Sequence, residues 1–224
     1  MNPIKINIVS IFFSISGEVN IWPQGAPTIF IRFASCNLAC HYCDTKQSIN
    51  AAGTTMTIEE IVEQVDSFDC DRVLITGGEP LLQKDGLREL IRELNTQGYM
   101  TSIETNGSLP LDIYPEHPNC WVVDIKMPGS GYFDSMILPE KHLEDAEAGD
   151  NLIFKFPIED ERDFQTAADI IKDLDETSCG LALSPISPLT AAELWEWMVR
   201  DGLTHCILNT QIHKTIWPDS KIER

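Results

Sequence analysis

The chain has 224 residues, 43% of them hydrophobic and 23% charged, with a formal net charge of −19. That length suits a single domain over residues 1–224, large enough to bury a core without disulfide staples. A surface this acidic repels phosphate backbones, which argues against a nucleic-acid partner. No apolar run is long enough to span a bilayer, and residues 1–17 lack the pattern of a secretion signal. The expected location is cytoplasmic, with no membrane partner. Seven cysteines, an odd number with three of them clustered, point to a reducing compartment and metal binding rather than disulfides.

In chain order, residues 4–15 are rich in β-branched and aromatic side chains and predict a strand. They run into Ser16-Gly17-Glu18 and a loop with Pro23, Gly25 and Pro27. Residues 28–33 form a second short strand ending near Cys36. Arg32 within it is either an outward-facing strand residue or a clamp for a carboxylate. Thr57-Ile-Glu-Glu60 has the form of a capping box and starts a helix with Ile58, Ile61, Val62 and Val65 on one face. Residues 72–76 read as a buried strand ending in Gly77-Gly78-Glu79-Pro80. A glycine pair there lets a ligand approach the backbone, and its N–H groups can bind a carboxylate. Leu87, Leu90, Ile91 and Leu94 predict a helix, with Gly98 as its C-terminal cap.

Further strands are expected at 100–104, 121–126, 151–156, 180–184 and 205–209, with helices around Phe164–Leu174 and after Thr190. Alternating strands and helices argue for βαβ units and a parallel sheet, with polar and glycine residues at the strand ends, where such folds place chemistry. Residues 107–120 show no helical pattern. The expected fold is therefore α/β, an incomplete (partial) TIM-like β/α barrel. Cys70, Cys120, Cys179 and Cys206 lie in or beside strands and read as small core residues.

The chemistry is concentrated in Cys36-Asn-Leu-Ala-Cys40-His-Tyr-Cys43-Asp-Thr45, where three cysteines fall within eight residues. A structural zinc site wants four Cys or His ligands, and His41, wedged between two of the cysteines, is poorly placed to be the fourth. A cubane iron–sulfur cluster takes one thiolate per iron, so three cysteines leave one iron open to a non-protein ligand.

This spacing resembles the signature of the radical S-adenosylmethionine enzymes, in which S-adenosylmethionine chelates the open iron and is cleaved to a hydrogen-abstracting radical. Further blocks are similar to one branch, the 7-carboxy-7-deazaguanine synthases: Phe-Ser-Ile-Ser-Gly-Glu (13–18), Phe-Ile-Arg-Phe (30–33), Cys-Asp-Thr (43–45), Thr-Gly-Gly-Glu-Pro-Leu-Leu-Gln (76–83), Glu-Thr-Asn-Gly (104–107), Asp-Ile-Lys-Met-Pro (124–128) and Gln-Ile-His-Lys (211–214). The resemblance implies the radical S-adenosylmethionine barrel and a lyase that converts 6-carboxy-5,6,7,8-tetrahydropterin to 7-carboxy-7-deazaguanine for queuosine and related 7-deazapurines. It also implies a [4Fe-4S] cluster, S-adenosyl-L-methionine and Mg²⁺ as cofactors, an electron donor such as flavodoxin or ferredoxin, and a homodimer.

Position by position, the resemblance gives the cluster to Cys36, Cys40 and Cys43. It gives S-adenosylmethionine to Tyr42, Cys43, Asp44, Gly78, Glu104, Lys126 and Ser184, and the pterin to Ile15, Ser16, Gly17, Glu18, Arg32, Thr76 and His213. Thr45 falls to Mg²⁺, which prefers oxygen ligands and seldom sits in an all-protein cage. Where the family reads Gln-Gly-Glu-Gly, this chain reads Ser16-Gly17-Glu18-Val19, so a differently shaped loop is expected. A glycyl-radical-enzyme activase shares the cysteine spacing without needing Glu18, Arg32 and His213. A non-catalytic zinc- or cluster-binding module is the alternative from another class.

Overall fold

The structure, a computed structural model, describes residues 3–146, 151–174 and 179–218. Its strands are β1 (Lys5–Ile15), β2 (Pro27–Phe33), β3 (Thr54–Thr57), β4 (Arg72–Gly77), β5 (Met100–Thr105), β6 (Cys120–Asp124), β7 (Leu152–Ile158), β8 (Gly180–Pro185) and β9 (Ile207–Leu208). The helices are α1 (Lys46–Ile49), α2 (Ile58–Asp66), α3 (Lys84–Thr96), α4 (Pro139–Asp145), α5 (Glu161–Asp173), α6 (Ala191–Arg200) and α7 (Ile212–Ile216). One sheet runs in the order β3-β1-β2-β4-β5-β6-β7-β8-β9, so it has two free edges and does not close into a barrel.

From β2 to β9 every neighbouring pair is parallel. The start of the chain departs from the all-parallel expectation: β1 runs antiparallel to both β2 and β3. The loop at 16–26 is short enough to fold the chain straight back, whereas a parallel neighbour needs a crossover of a dozen or more residues. Strand β3, absent from the sequence expectations, is a short polar edge strand, Thr-Thr-Met-Thr. The last expected strand contracts from 205–209 to Ile207–Leu208.

The helices form where their signals lie. Thr57 Oγ1 accepts from Glu60 N at 3.2 Å while Glu60 Oε2 accepts from Thr57 N at 2.8 Å. Thr190 and Glu193 repeat that reciprocal cap on α6. At the end of α3, Gly98 N donates to Asn95 O and Tyr99 N to Leu94 O, the paired bonds of a Schellman motif. The helices bury their apolar stripes on one face of the sheet. Leu87, Leu90, Ile91 and Leu94 of α3 and Phe164, Ala167 and Ile171 of α5 join Ile29, Ile31, Ile75, Ile103, Val123, Phe154 and Phe156 in the main core. Each large side chain so buried contributes about 1.5–3 kcal/mol. Cys120 and Cys206 are buried, as expected, while Cys70 and Cys179 are only half-buried.

Side chains alternate across a strand, so the opposite face carries the other set. In register across it run Phe30 and Arg32 of β2, Leu74 and Thr76 of β4, Ser102 and Glu104 of β5, Val122 and Asp124 of β6, and Ile153 and Lys155 of β7. The loop after β1 covers the middle of this face: Val19 packs there with Cys120, Val122, Ile153 and Ala182. Toward the carboxyl ends of the strands the face becomes charged. No helix among the described residues is long and apolar enough to cross a membrane.

Candidate active site

The cysteine loop leaves the end of β2 and is tied down at once. Gly78 N donates to Phe33 O at 2.9 Å and Glu79 N to Ser35 O at 2.8 Å. These N–H groups of the Gly-Gly-Glu turn thus hold the loop's entrance rather than standing free for a carboxylate, a correction to the sequence expectation. A Cβ on Gly78 would lie 1.8 Å from Ser35 O, so the approach of two backbones explains that glycine. Glu79 is fully buried. Its carboxylate accepts from Asn106 N at 2.7 Å, Thr105 Oγ1 at 2.9 Å and Leu81 N at 3.0 Å, joining the ends of β4 and β5. Burial pushes its pKa up, opposed by these hydrogen bonds.

Above this clamp sit Cys36, Cys40 and Cys43, none in a disulfide. Burial pushes the thiols of Cys36 and Cys40 above their ordinary range, and Lys126 partly opposes this at Cys40. Asn106 Nδ2 donates to Cys36 Sγ at 3.6 Å and to Asn37 Oδ1 at 2.9 Å. His41 is drawn away: its Nε2 meets Glu159 Oε1 at 3.0 Å on the exposed side of the loop. Among the described residues no three His, Cys, Asp or Glu side chains converge on one point where a single ion would sit. Thiolates of a cubane cluster bind one iron each and need no such point. The all-sulfur set on one loop fits that group.

Next to Cys43, Thr45 Oγ1 lies 3.6 Å from the sulfur and donates to Gly77 O at 3.3 Å, which leaves its lone pairs for a cation. Asp44 Oδ2 accepts from Gln211 Nε2 at 3.3 Å. Lys126 Nζ lies 5.6 Å from the Tyr42 ring centroid and 2.9 Å from Asp124 Oδ2. The other oxygen, Asp124 Oδ1, is buried with no hydrogen-bond partner among the described residues. Such an orphan acceptor costs free energy unless a ligand donor meets it, and the amine or hydroxyls of S-adenosylmethionine are donors of that kind. Ser184 Oγ accepts from Asn209 Nδ2 at 2.7 Å.

On the neighbouring strands Thr76 Oγ1 donates to Glu104 Oε2 at 3.0 Å. Lys155 Nζ lies 2.6 Å from Glu18 Oε2 and 3.5 Å from Asp124 Oδ2. Burial opposes the charge of Lys155, but Glu18, Asp124 and Glu104 more than offset it and hold its pKa well above the ordinary lysine value. Burial also pushes Glu18 up. Lys155, with help from Gln211, reverses this and holds Glu18 below its usual range. Burial leaves Glu104 raised, with Lys155 partly opposing the shift.

Arg32 does not face outward. It shares the charged face with Thr76, and its guanidinium lies 5.3 Å from the Phe12 ring centroid and 5.9 Å from that of Phe30. His213, from α7, packs on Gly17, where a Cβ would come within 2.1 Å of its Nδ1. Burial lowers its pKa, which favours the neutral ring near pH 7. Ile15 stands apart: it pairs with Pro27 at the end of β1, and strand alternation turns its side chain away from the face of Arg32. Ser16 shapes the loop, with N donating to Ala26 O, O accepting from Gly25 N, and its hydroxyl donating to Glu18 O at 3.2 Å. Val19 is the altered part of that loop, filling the floor of the site and donating its N–H to Asn209 Oδ1 at 2.7 Å.

Sequence reasoning missed Lys155, Asp124, Glu79 and Asn209. A lysine inside the apolar run Leu-Ile-Phe-Lys-Phe-Pro-Ile was the one signal available for Lys155. The tail beyond Pro218, including the terminal carboxylate at Arg224, lies outside the described residues.

The profile of the Radical SAM superfamily matches residues 30–125. A 7-carboxy-7-deazaguanine synthase of Methanospirillum hungatei is 37% identical over 211 residues, 94% of this chain and 85% of the relative. One from Chlorobaculum tepidum is 36% identical over 219 residues, 96% of each chain. Among solved structures, QueE from Escherichia coli superposes with a TM-score of 0.69 at 25% identity, covering 92% of this chain and 94% of that one. Streptococcus suis SuiB, at 16% identity and a TM-score of 0.59 over 85% of this chain and 51% of its own, shares the fold.

Proposed function

Because the chain belongs to the radical S-adenosylmethionine superfamily and, within it, to the 7-carboxy-7-deazaguanine synthases, we propose that it converts 6-carboxy-5,6,7,8-tetrahydropterin to 7-carboxy-7-deazaguanine. The reaction contracts a ring and releases ammonia; the enzyme is a lyase acting on a small molecule. The observation that supports this most is the polar and charged group Arg32, Thr76, Glu104, Asp124 and Lys155 at the carboxyl ends of parallel strands, joined by Glu18 from the loop and lying beside three thiols.

Cys36, Cys40 and Cys43 would hold the cluster, and Tyr42, Asp44, Glu104, Lys126 and Ser184 the cofactor. When bound, the [4Fe-4S] cluster and S-adenosylmethionine supply the hydrogen-abstracting radical chemistry. This chain's own residues bind and orient. The Glu18 carboxylate accepts two parallel hydrogen bonds from the amino-pyrimidine edge of the pterin, and the planar fork of Arg32 takes its carboxylate. Neutral His213 and Thr76 contribute hydrogen-bonding groups at the sides. Val19 and the loop around it exclude water from below, which strengthens each of these contacts. The proposal further includes Mg²⁺ at the Thr45 hydroxyl, a flavodoxin- or ferredoxin-type electron donor, and pairing of two copies. Turnover should fall on chelation of Mg²⁺, and Thr45→Val should blunt that dependence while leaving iron content intact. The decisive test is anaerobic reconstitution with iron and sulfide, followed by turnover of the carboxypterin and mass analysis. Release of a product other than 7-carboxy-7-deazaguanine would overturn the assignment.

A further inference from the structure

We propose that Lys155 is a positioning residue for substrate recognition: by pairing with Glu18 it keeps that carboxylate ionised and aimed at the amino-pyrimidine edge of the pterin. The inference rests on Glu18 being the group that reads this edge. The Glu18 side chain is only 15% exposed, and its carboxylate is drawn into the face of the sheet beside Asp124 and Glu104. Three carboxylates in one low-dielectric region disfavour one another's charge, and a group in that position ordinarily takes up a proton.

A protonated Glu18 would be a poor reader. The edge it faces offers two N–H donors side by side, and an ionised carboxylate accepts both in parallel. A carboxylic acid keeps one good acceptor and turns a hydroxyl donor against the other N–H. Recognition therefore needs the charge, and Lys155 supplies an ammonium against Glu18, at 2.6 Å with its side chain 10% exposed. Lys155 is placed for this by the parallel register of β6 and β7, which sets it directly opposite Asp124. Asp124 is itself occupied by Lys126 at 2.9 Å, so Lys155, 3.5 Å away, leans toward Glu18. Gln211 bonds the second oxygen of Glu18 and completes the aim. The contrast with Glu104 supports the inference: equally enclosed, it feels Lys155 without an ion-pair contact, accepts from neutral Thr76, and is left with a raised pKa.

The test compares Lys155→Met, Lys155→Arg, Glu18→Gln and the double variant Lys155→Met/Glu18→Gln, reading equilibrium binding of 6-carboxypterin by calorimetry between pH 7 and 9. The titratable and charged neighbours around the pair are Asp124, Glu104, Asp44, Arg32 and His213, and His213 stays neutral across this range because burial lowers its pKa. Lys155→Met should weaken binding at least tenfold at pH 7 and recover part of the loss as rising pH ionises Glu18. Lys155→Arg, which keeps the charge, should stay within about threefold of the parent protein. The double variant, which removes the buried charge along with its partner and so tests folding separately, should bind no more weakly than Glu18→Gln alone.

Weak binding by Glu18→Gln with full binding by Lys155→Met would overturn the role of Lys155 and leave the reading of Glu18 standing. Full binding by Glu18→Gln would overturn that reading and this proposal with it. Additive, pH-independent losses would make Lys155 a direct ligand or a structural residue and would also overturn the proposal.

Discussion

On β7 the side chains of Ile153, Lys155 and Pro157 lie on one face and those of Phe154, Phe156 and Ile158 on the other, and the two sets are held by different physics. Phe154, Phe156 and Ile158 are fully buried under helices. Their contribution scales with apolar area and needs no particular partner. Lys155 is nearly as buried but depends on Glu18, brought there from 137 residues earlier in the chain. A buried ion pair adds little net stability, because desolvating the two charges offsets their attraction, and removing one partner costs more than the pair gains. The helix-covered face is thus where the fold is held together. The charged face is maintained at some cost in stability, as a binding site requires.

The largest effect expected from that division is at the cysteine loop. Cys36→Ala, Cys40→Ala and Cys43→Ala should each abolish the iron–sulfur chromophore and all turnover, because the proposed site has one thiolate for each of three irons and none spare. The apoproteins should unfold at nearly the parent temperature, since these residues stand outside the main core. Iron and sulfide analysis beside a thermal melt checks both halves, and an alanine variant that keeps four irons and normal turnover would sink the cluster assignment.

The converse change is Phe154→Ala on the helix-covered face. It should cost about 3–5 kcal/mol, the usual range for emptying a fully packed aromatic site, measured by equilibrium denaturation of the apoprotein. A loss below about 1 kcal/mol would mean that this face is not the seat of stability.

On the charged face the informative change is Arg32→Lys. Lysine keeps the charge but lacks the planar fork that holds a carboxylate in two parallel bonds. Charge-assisted hydrogen bonds are worth about 1.5–3 kcal/mol, so kcat/KM for the carboxypterin should fall roughly tenfold or more. Cleavage of S-adenosylmethionine without pterin should persist. If both rates fall together with the cluster lost, the packing of Arg32 on Phe12 and Phe30 is its main role.

The same division decides what the sequence alone could reveal. The helix-covered face was legible because area burial leaves a periodic trace: Leu87, Leu90, Ile91 and Leu94 lie at helical spacing, and β4, β6 and β7 are mostly apolar runs. The cysteine loop was legible because its three thiols are close in sequence. The ion pairs were not, since Lys155, Asp124 and Glu18 are distant in sequence and meet only through strand register. Glu79 was hidden by its glycines, which read as backbone open to a ligand while the carboxylate reaches across to Thr105 and Asn106. The antiparallel start was missed because strand direction depends on the length of the connection rather than on the composition of the strand. Edge strand β3 has too few apolar residues to announce itself.

The smallest expected effect tests whether stability on the helix-covered side can be altered without touching chemistry. Thr190 caps α6: its hydroxyl accepts from Glu193 N at 3.2 Å while Glu193 returns a bond to Thr190 N at 2.9 Å. The exposed box satisfies donors that the first turn of any helix leaves open. Thr190→Ala removes the hydroxyl that meets Glu193 N, at a cost of about 1 kcal/mol. Helix α6 packs on β8 through Leu194 and Met198, so fraying would begin at its first turn and leave those contacts in place. Denaturant midpoints should therefore shift while the denaturant dependence of unfolding stays constant, the mark of altered stability without altered compactness. The kcat/KM for the carboxypterin should match the parent protein. A loss of turnover comparable to that of Arg32→Lys would show that α6 transmits to Ser184 and Asn209 through β8, and that the two faces are not energetically separate.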